Sequence, residues 1–189
     1  MKNHKIQKNK GFTLVETMFA VYILTFTIVG LMAVVSSSLF AARYARDEIT
    51  VNYLLQEVVD YVRNDRDTTV FLENGKTWDD FYNKYSNCST GTGCYFDVLT
   101  NADTPKRCAV DGCPVLYYDA SADNTPFYVE DTGLGMSASM LKTSFKRKIQ
   151  IVQNSTNPDE IDVTVTIDWK NGSMNKTRTL QTSLMNWQK

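Results

Sequence analysis

The hydrophobic pattern begins with one long apolar run. The stretch from Phe12 to Val35 contains one charged side chain, Glu16, and few other polar groups besides threonines. At about 1.5 Å per residue a helix over this run is about 36 Å long, enough to cross a hydrocarbon core of about 30 Å. The run therefore predicts a membrane-spanning helix. A charged residue at the centre of such a span costs roughly 2.5–3.5 kcal/mol and is tolerated mainly with a partner, so Glu16 implies a specific role.

The run continues into a segment of helical periodicity without glycine or proline. Apolar residues recur there at spacings of three and four, at Val51, Leu54, Leu55, Val58, Val59 and Val62. This pattern is typical of an amphipathic helix with one buried stripe. We expect one helix from about Thr13 to Asn64. The chain is thus divided into a membrane segment, 12–35, an amphipathic continuation, 36–66, and a globular head, 67–189.

The last third of the chain changes to a period of two. Phe145, Arg147, Ile149 and Ile151 alternate with polar residues, and so do Ile161, Val163, Val165, Ile167 and Trp169. Such alternation predicts strands with one buried face. Asn171-Gly172 is a turn signal before a further strand in "TRTLQTSLMNW". We expect an antiparallel sheet of three to four strands over 144–187, packed on the amphipathic half of the helix, which is an α+β fold.

The segment between helix and sheet has weaker signals. Thr77 and Asp80 have the spacing of a capping box for a short helix. The aromatic residues of that helix share one face, which favours a place in the core over a ligand or adhesion surface: Trp78, Phe81, Tyr82 and Tyr85. The stretch 86–140 is rich in turn-forming residues and is expected to be mostly loop, with a brief strand at Val115–Tyr118.

Charge near the amino terminus predicts the topology. "MKNHKIQKNKG" has four lysines and no acidic residue, so the positive-inside rule keeps this end in the cytoplasm and places the head outside. An ordinary cleaved signal peptide is the alternative. It is disfavoured because the apolar run is long and no small-residue cleavage site follows it.

All four cysteines follow the membrane segment. An even number of cysteines on the exported side predicts two disulfides. We favour Cys88–Cys94 with Cys108–Cys113, because both pairs close short loops, although three pairings are possible. A zinc site is disfavoured because the spacings of five and four intervening residues do not match CxxC pairs and no histidine is near.

The stretch "KGFTLVE", followed by a long apolar helix, resembles the amino-terminal signal of type IV pilins and of the pseudopilins of type II secretion. The resemblance implies that a prepilin peptidase cuts between Gly11 and Phe12, removes the leader 1–11 and methylates the new amino group of Phe12. The characteristic glutamate of the family, at the fifth position of the mature chain, corresponds to Glu16. The match is confined to this signal and the apolar helix after it, and is most similar to PilV-type minor pilins.

Glu16 has a physical rationale beside this resemblance. Cleavage would create a cationic amine at Phe12, about one helical turn from the carboxylate, so the two can pair within a subunit or between neighbours. A missing partner would leave a buried charge. The alternative is a helix-start glutamate favoured by the helix dipole, which explains its position and no other feature of the segment.

The resemblance also implies a pilin-like fold, partners and a location. The partners are other pilin subunits that contact this helix in a filament core, the peptidase, and an inner-membrane assembly platform. The location is a single-pass membrane protein with a cytoplasmic amino terminus and an extracytoplasmic head, later extracellular in a pilus or pseudopilus.

The sequence offers little catalytic chemistry. Its single histidine, His4, lies in the leader, so we expect no enzymatic activity, no cofactor and no metal. Oxygen-bearing side chains between Asp119 and Asn124 could bind calcium, but the glycine and distal glutamate of an EF-hand are missing, and a solvated loop is favoured. Of the 20 basic side chains four lie in the leader, so 16 remain against 21 acidic ones. No nucleic-acid partner is expected, although "KTSFKRK" is locally basic.

Three functions remain open from the sequence. The first is a minor type IV pilin that enters a pilus filament or primes its assembly, and the second is a minor pseudopilin of a type II secretion or DNA-uptake system. The third is a membrane-anchored extracytoplasmic binding module or enzyme, which would need a cleft with clustered ionisable groups.

Overall fold

The computed structural model describes residues 11–72, 75–89, 91–96, 104–119, 127–130 and 140–186. It contains helix α1, Leu14–Asp67, a π-helical turn, Thr68–Leu72, helix α2, Trp78–Lys84, and a 3-10 turn, Ser86–Cys88. The strands are β1 Cys94–Tyr95, β2 Lys106–Arg107, β3 Val115–Asp119, β4 Phe127–Glu130, β5 Met140–Gln153, β6 Glu160–Asn171 and β7 Met174–Met185. The protein is therefore α+β. The chain divides into two compact units, Met1–Asp47 and Glu48–Lys189, with α1 beginning in the first and ending in the second.

The carboxyl-terminal part of α1 forms one side of the core of the second unit. The six apolar residues that the periodicity places on one stripe are all buried, from Val51 to Val62. Removing each of these side chains from water is worth roughly 1.5–3 kcal/mol, so the stripe holds this part of the helix in place. The prediction of one continuous helix is confirmed, and α1 ends at Asp67, shortly after the predicted end at Asn64.

Strands β5, β6 and β7 form the predicted antiparallel meander. β5 pairs with β6 from Lys146↔Asp168 to Gln153↔Ile161, and β6 pairs with β7 along its whole length. The inward residues of β6 are fully or nearly fully buried, as the alternation predicts. The β6–β7 turn contains Gly172 with φ 61°, a left-handed conformation that glycine adopts without steric cost.

The sheet is larger than the three to four strands expected. It has seven strands among the described residues, because β1 to β4 add to it from the segment expected to be mostly loop. The brief strand expected at Val115–Tyr118 is present as β3. β3 and β1 lie along the edge of β5 opposite β6, with β4 outside β3 and β2 outside β1. Such short strands carry too few alternating positions to be recognised from the sequence.

Helix α2 begins as its sequence predicts. The Thr77 side chain accepts the backbone N–H of Asp80, and the Asp80 carboxylate accepts the backbone N–H of Thr77, which completes the capping box. Of the aromatic stripe, Trp78, Phe81 and Tyr85 are buried, while Tyr82 is half-buried. The core interpretation of the stripe is therefore confirmed for three of its four residues.

Candidate functional site: the exposed apolar helix and the clusters of the head

The amino-terminal segment of α1 begins with a cap that includes Glu16. The Glu16 backbone N–H donates to Thr13 Oγ1 at 3.3 Å, and the Thr17 N–H donates to the Thr13 carbonyl at 3.2 Å. Thr13 is thus the N-cap and Glu16 the third helical residue, where the helix dipole favours a negative charge. The cap fixes the start of the helix immediately after Phe12 and Thr13.

Three threonine hydroxyls within the apolar run are satisfied inside the helix. The hydroxyls of Thr17, Thr25 and Thr27 each donate to the carbonyl three residues earlier, at 2.8 to 2.9 Å. The apolar side chains of the run are exposed. Bonding to the backbone of the same helix lowers the cost of placing these three hydroxyls in lipid. The helix is long and apolar enough to cross a membrane, which fits a single-pass topology.

Glu16 lies on this helix without a cationic neighbour in the part of the chain that the structure describes. No salt bridge or side-chain hydrogen bond to its carboxylate is present among those residues. Phe12, one turn earlier, is 81% exposed. One turn of helix advances about 5–6 Å along the axis, so a charge at residue 12 would lie within reach of the Glu16 side chain.

The peptide bond expected to be cut lies at the edge of the described residues. Gly11 and Phe12 are exposed and precede the helix, and a Cβ added at Gly11 would have no atom within 4 Å. The leader residues 1–10 lie outside the described residues. Access to this bond and its cleavage stay predictions.

Two disulfides fix the segment between α2 and β3. The structure joins Cys88 to Cys94 and Cys108 to Cys113, the pairs favoured from the sequence, and all four cysteines are buried. Gly93, with φ 71°, lets β1 approach β5, since a Cβ there would lie 2.8 Å from the Ile149 carbonyl oxygen. Closing short loops lowers the entropy of the unfolded chain, which stabilises the folded segment.

A buried ion pair connects α1 to β5. Arg147 Nη1 donates to Glu57 Oε2 at 2.8 Å and to the Leu54 carbonyl at 3.4 Å. The Arg147 side chain is 1% exposed and that of Glu57 31%. The alternation in β5 places Arg147 on the inward face, but its partner was not identified from the sequence. One signal in the sequence could have indicated that a partner exists. Arg147 falls within a series of buried apolar positions, and a buried positive charge requires a nearby carboxylate.

A second polar cluster joins α1 to α2. Asp65 accepts from Lys84 Nζ at 2.7 Å and from the Tyr85 hydroxyl at 2.8 Å. Burial, and then the negative charge of Asp65, raise the pKa of Tyr85 well above its usual value. The hydroxyl therefore stays protonated as a donor. No pattern in the sequence indicates this cluster, because its members belong to different helical segments that meet only in the folded chain.

These clusters hold elements of the head together. Among the described residues no three metal-binding side chains converge. Asp119, the first residue of the calcium candidate, is the buried last residue of β3, and the positions 120–126 that follow lie outside the described residues. His4 lies outside them as well.

The fold and the apolar helix together define an α+β protein with one candidate membrane-spanning helix near its amino terminus. Comparisons with protein-family models, with curated proteins and with solved structures find no significant match.

Proposed function

We propose that the chain is a minor type IV pilin, a structural subunit that enters a pilus filament or primes its assembly. The observation that carries this proposal is the exposed apolar segment from Phe12 to Val35, helical from Leu14 onward, with one carboxylate, Glu16, close to its start. The resemblance of "KGFTLVE" to the prepilin signal adds two expected reactions at this start: cleavage between Gly11 and Phe12, and methylation of the new amino group of Phe12.

The exposed helix needs two kinds of environment in this proposal. Before assembly, lipid covers its apolar side chains. In a filament, the same helices of neighbouring subunits cover them, because an uninterrupted apolar surface of this size is not left in contact with water. A chain anchored only by this helix has no need for Glu16. A subunit that must stop at one axial position in a filament needs a residue that marks this position, and Glu16 is such a residue.

Glu16 sets that position by pairing with the methylated amine of Phe12. Separation from water raises the cost of an unpaired charge and strengthens the attraction between opposite charges. A neighbouring or intramolecular amine therefore favours one register of the helix over others. The Thr13 cap supports this role, because it keeps Phe12 outside the first turn while holding Glu16 within it.

The rest of the proposal concerns location and partners. The amino terminus is cytoplasmic and the head extracytoplasmic, and the processed subunit becomes extracellular with the filament. Its partners are other pilin subunits, the prepilin peptidase and the inner-membrane assembly platform. The protein acts as a structural subunit with no catalytic activity of its own, and a pilin-like fold is part of this proposal.

Processing tests the proposal. Coexpression with a prepilin peptidase should remove the leader Met1–Gly11 and leave N-methylated Phe12, as read by mass spectrometry of the intact chain. Gly11→Leu should block cleavage. Since a Cβ at Gly11 would have no atom of the described residues within 4 Å, the block would reflect peptidase recognition rather than misfolding. An unmethylated chain that starts elsewhere would contradict the proposal.

Location in filaments is the second test. The processed chain should copurify with extracellular filaments sheared from cells. Recovery only in filaments formed by an overproduced secretion system would indicate a pseudopilin instead. Complete retention in the membrane fraction would favour the anchored binding module.

A further inference from the structure

The exposed apolar surface of α1 extends beyond Val35 and ends at Arg43. Leu39 and Phe40 are exposed like the apolar residues before them. No charged residue lies between Glu16 and Arg43 in the sequence. The apolar surface is therefore bounded by one charge at each end, a carboxylate near the start of the helix and a guanidinium beyond Phe40.

The distance between the two bounding charges matches the thickness of a bilayer. Arg43 lies 27 residues after Glu16, which is about 40 Å along a helix. With a tilt of about 20°, the average for membrane helices, the two positions are still about 38 Å apart across the membrane. This exceeds a hydrocarbon core of about 30 Å and approaches the roughly 40–45 Å of a bilayer with its headgroups. Both charges can therefore lie at headgroup level at the same time, on opposite sides of the membrane.

Arg43 carries a charge that the described part of the chain does not neutralise. It is exposed and forms no ion pair with any residue that the structure describes, Asp47 included. Arg46, one turn later, is also exposed and has Asp47 as a neighbouring charge. Glu48 accepts from Arg178 Nε at 3.0 Å. The guanidinium of Arg43 therefore keeps its donors for a ligand outside the described chain.

The direction of the helix aims Arg43 at the membrane. In an α-helix each Cα–Cβ bond tilts toward the amino terminus, so a long side chain lies over the turn before it. For Arg43 that turn contains Leu39 and Phe40, the end of the apolar surface. The aliphatic stem can cover these residues while the guanidinium stays in the polar headgroup layer. A guanidinium donates two parallel hydrogen bonds to a phosphate group, which makes arginine well suited to a lipid phosphate.

We propose that Arg43 binds the phosphate group of a membrane phospholipid at the carboxyl-terminal end of the span, with Arg46 as a second cation, and that this contact sets the depth of the helix. A phospholipid headgroup supplies negative charge in the plane where the apolar surface ends. The bilayer midplane then lies midway between the two bounding charges, at residues 29 and 30. Without the contact, the run 12–35 would be centred in the bilayer, with the midplane at residues 23 and 24. The inference rests on the membrane-spanning helix of the proposed function, and filament assembly is no part of it.

Carbon–phosphorus dipolar recoupling in solid-state NMR tests the contact. The full chain, labelled with 13C at the arginine Cζ atoms, is reconstituted in phosphate-free buffer in vesicles of phosphatidylethanolamine and phosphatidylglycerol. Lipid 31P should dephase an arginine signal, and this dephasing should fall by about half or more in Arg43→Gln. Arg63→Gln is the matched control, since Arg63 is an exposed arginine of the same helix with Asp60 as its neighbour. Equal dephasing in the two variants would overturn the inference.

The depth of the helix is the second readout. A nitroxide at the end of a lipid acyl chain broadens amide resonances near the bilayer midplane. In bicelles of the same lipids the broadening should be strongest at residues 29 and 30. In Arg43→Gln with Arg46→Gln the maximum should move by about one helical turn or more toward residues 23 and 24. A wild-type maximum already at residues 23 and 24, or one that the double variant leaves in place, would overturn the inference.

Extraction with alkaline carbonate distinguishes failure of this inference from failure of the membrane span. A chain that carbonate removes from the vesicles does not span them, which contradicts both the span and the headgroup contact. A chain that resists extraction without an arginine–phosphate contact overturns this inference alone. Because both arginines are exposed, the amide spectrum of the head should be the same in the variants and in the wild type.

Discussion

The Arg147–Glu57 pair allows an asymmetric test of how the head is held together. Glu57→Leu removes the carboxylate from an arginine whose side chain is 1% exposed, whereas Arg147→Met leaves a carboxylate that is 31% exposed and open to water. Breaking a fully buried pair by removing one partner costs roughly 3–5 kcal/mol. Because water screens part of this pair, we expect about 2–3 kcal/mol for Glu57→Leu.

Arg147→Met should cost about 1 kcal/mol or less, because methionine keeps most of the aliphatic stem and the remaining carboxylate is solvated. The double variant should lie within about 1 kcal/mol of the wild type, since an apolar pair can replace a buried ion pair. The free energy of unfolding is measured by urea titration of the full chain in micelles, followed by tryptophan fluorescence. Equal losses in the two single variants, or losses that add in the double variant, would refute the reasoning.

Three other features of the head give further tests. Non-reducing mass mapping of the folded protein should find no free thiol, and four reactive thiols would contradict both disulfides. Tyr85→Phe removes a donor to Asp65 and should cost about 1–2 kcal/mol. Because the folded pKa of Tyr85 lies above the ordinary value of 10.0, the stability it contributes is complete below that pH and is lost as the pH rises above it. The unfolding free energy of Tyr85→Phe, measured in urea, should therefore fall less steeply than that of the wild type above about pH 10, and parallel pH curves would argue against this. Thr77→Ala should cost about 1 kcal/mol and Thr77→Ser much less, and equal melting temperatures for the two would exclude the cap as a source of stability.

The long helix and the meander could be predicted because their patterns repeat over many residues. The stripe from Val51 to Val62 and the inward series of β6 each repeat several times, so single exceptions do not hide the period. The cap at Thr77 could be predicted because its partner, Asp80, lies within the first turn of the same helix. These features depend on local sequence, and the structure agrees with them.

The features that the sequence did not reveal depend on contacts between distant segments. The partner of Arg147 lies far away along the chain, in α1, and its identity follows from how α1 packs on the sheet. Strand β1 is very short and pairs with β5 at a single position, Cys94↔Ile149, so no local pattern indicates it.

For the apolar helix, the candidate residues Gly11, Phe12 and Glu16 could be identified from the sequence alone. The structure adds the Thr13 cap and shows that the threonine hydroxyls bond within the helix. The amine at Phe12 would arise on the proposed cleavage after Gly11. The pairing of this amine with Glu16 is therefore the central claim to measure.

The most direct measurement compares wild type, Glu16→Leu and Thr17→Leu in membrane fractions and in sheared filaments. Thr17→Leu is the matched control, since it makes the same turn of the helix more apolar without removing a charge. All three chains should be inserted and cleaved. Glu16→Leu should be reduced at least about tenfold in filaments, because a buried amine without its partner costs more than about 1.4 kcal/mol. Thr17→Leu should assemble like the wild type. An undiminished amount of Glu16→Leu in the filaments would contradict the role assigned to this carboxylate.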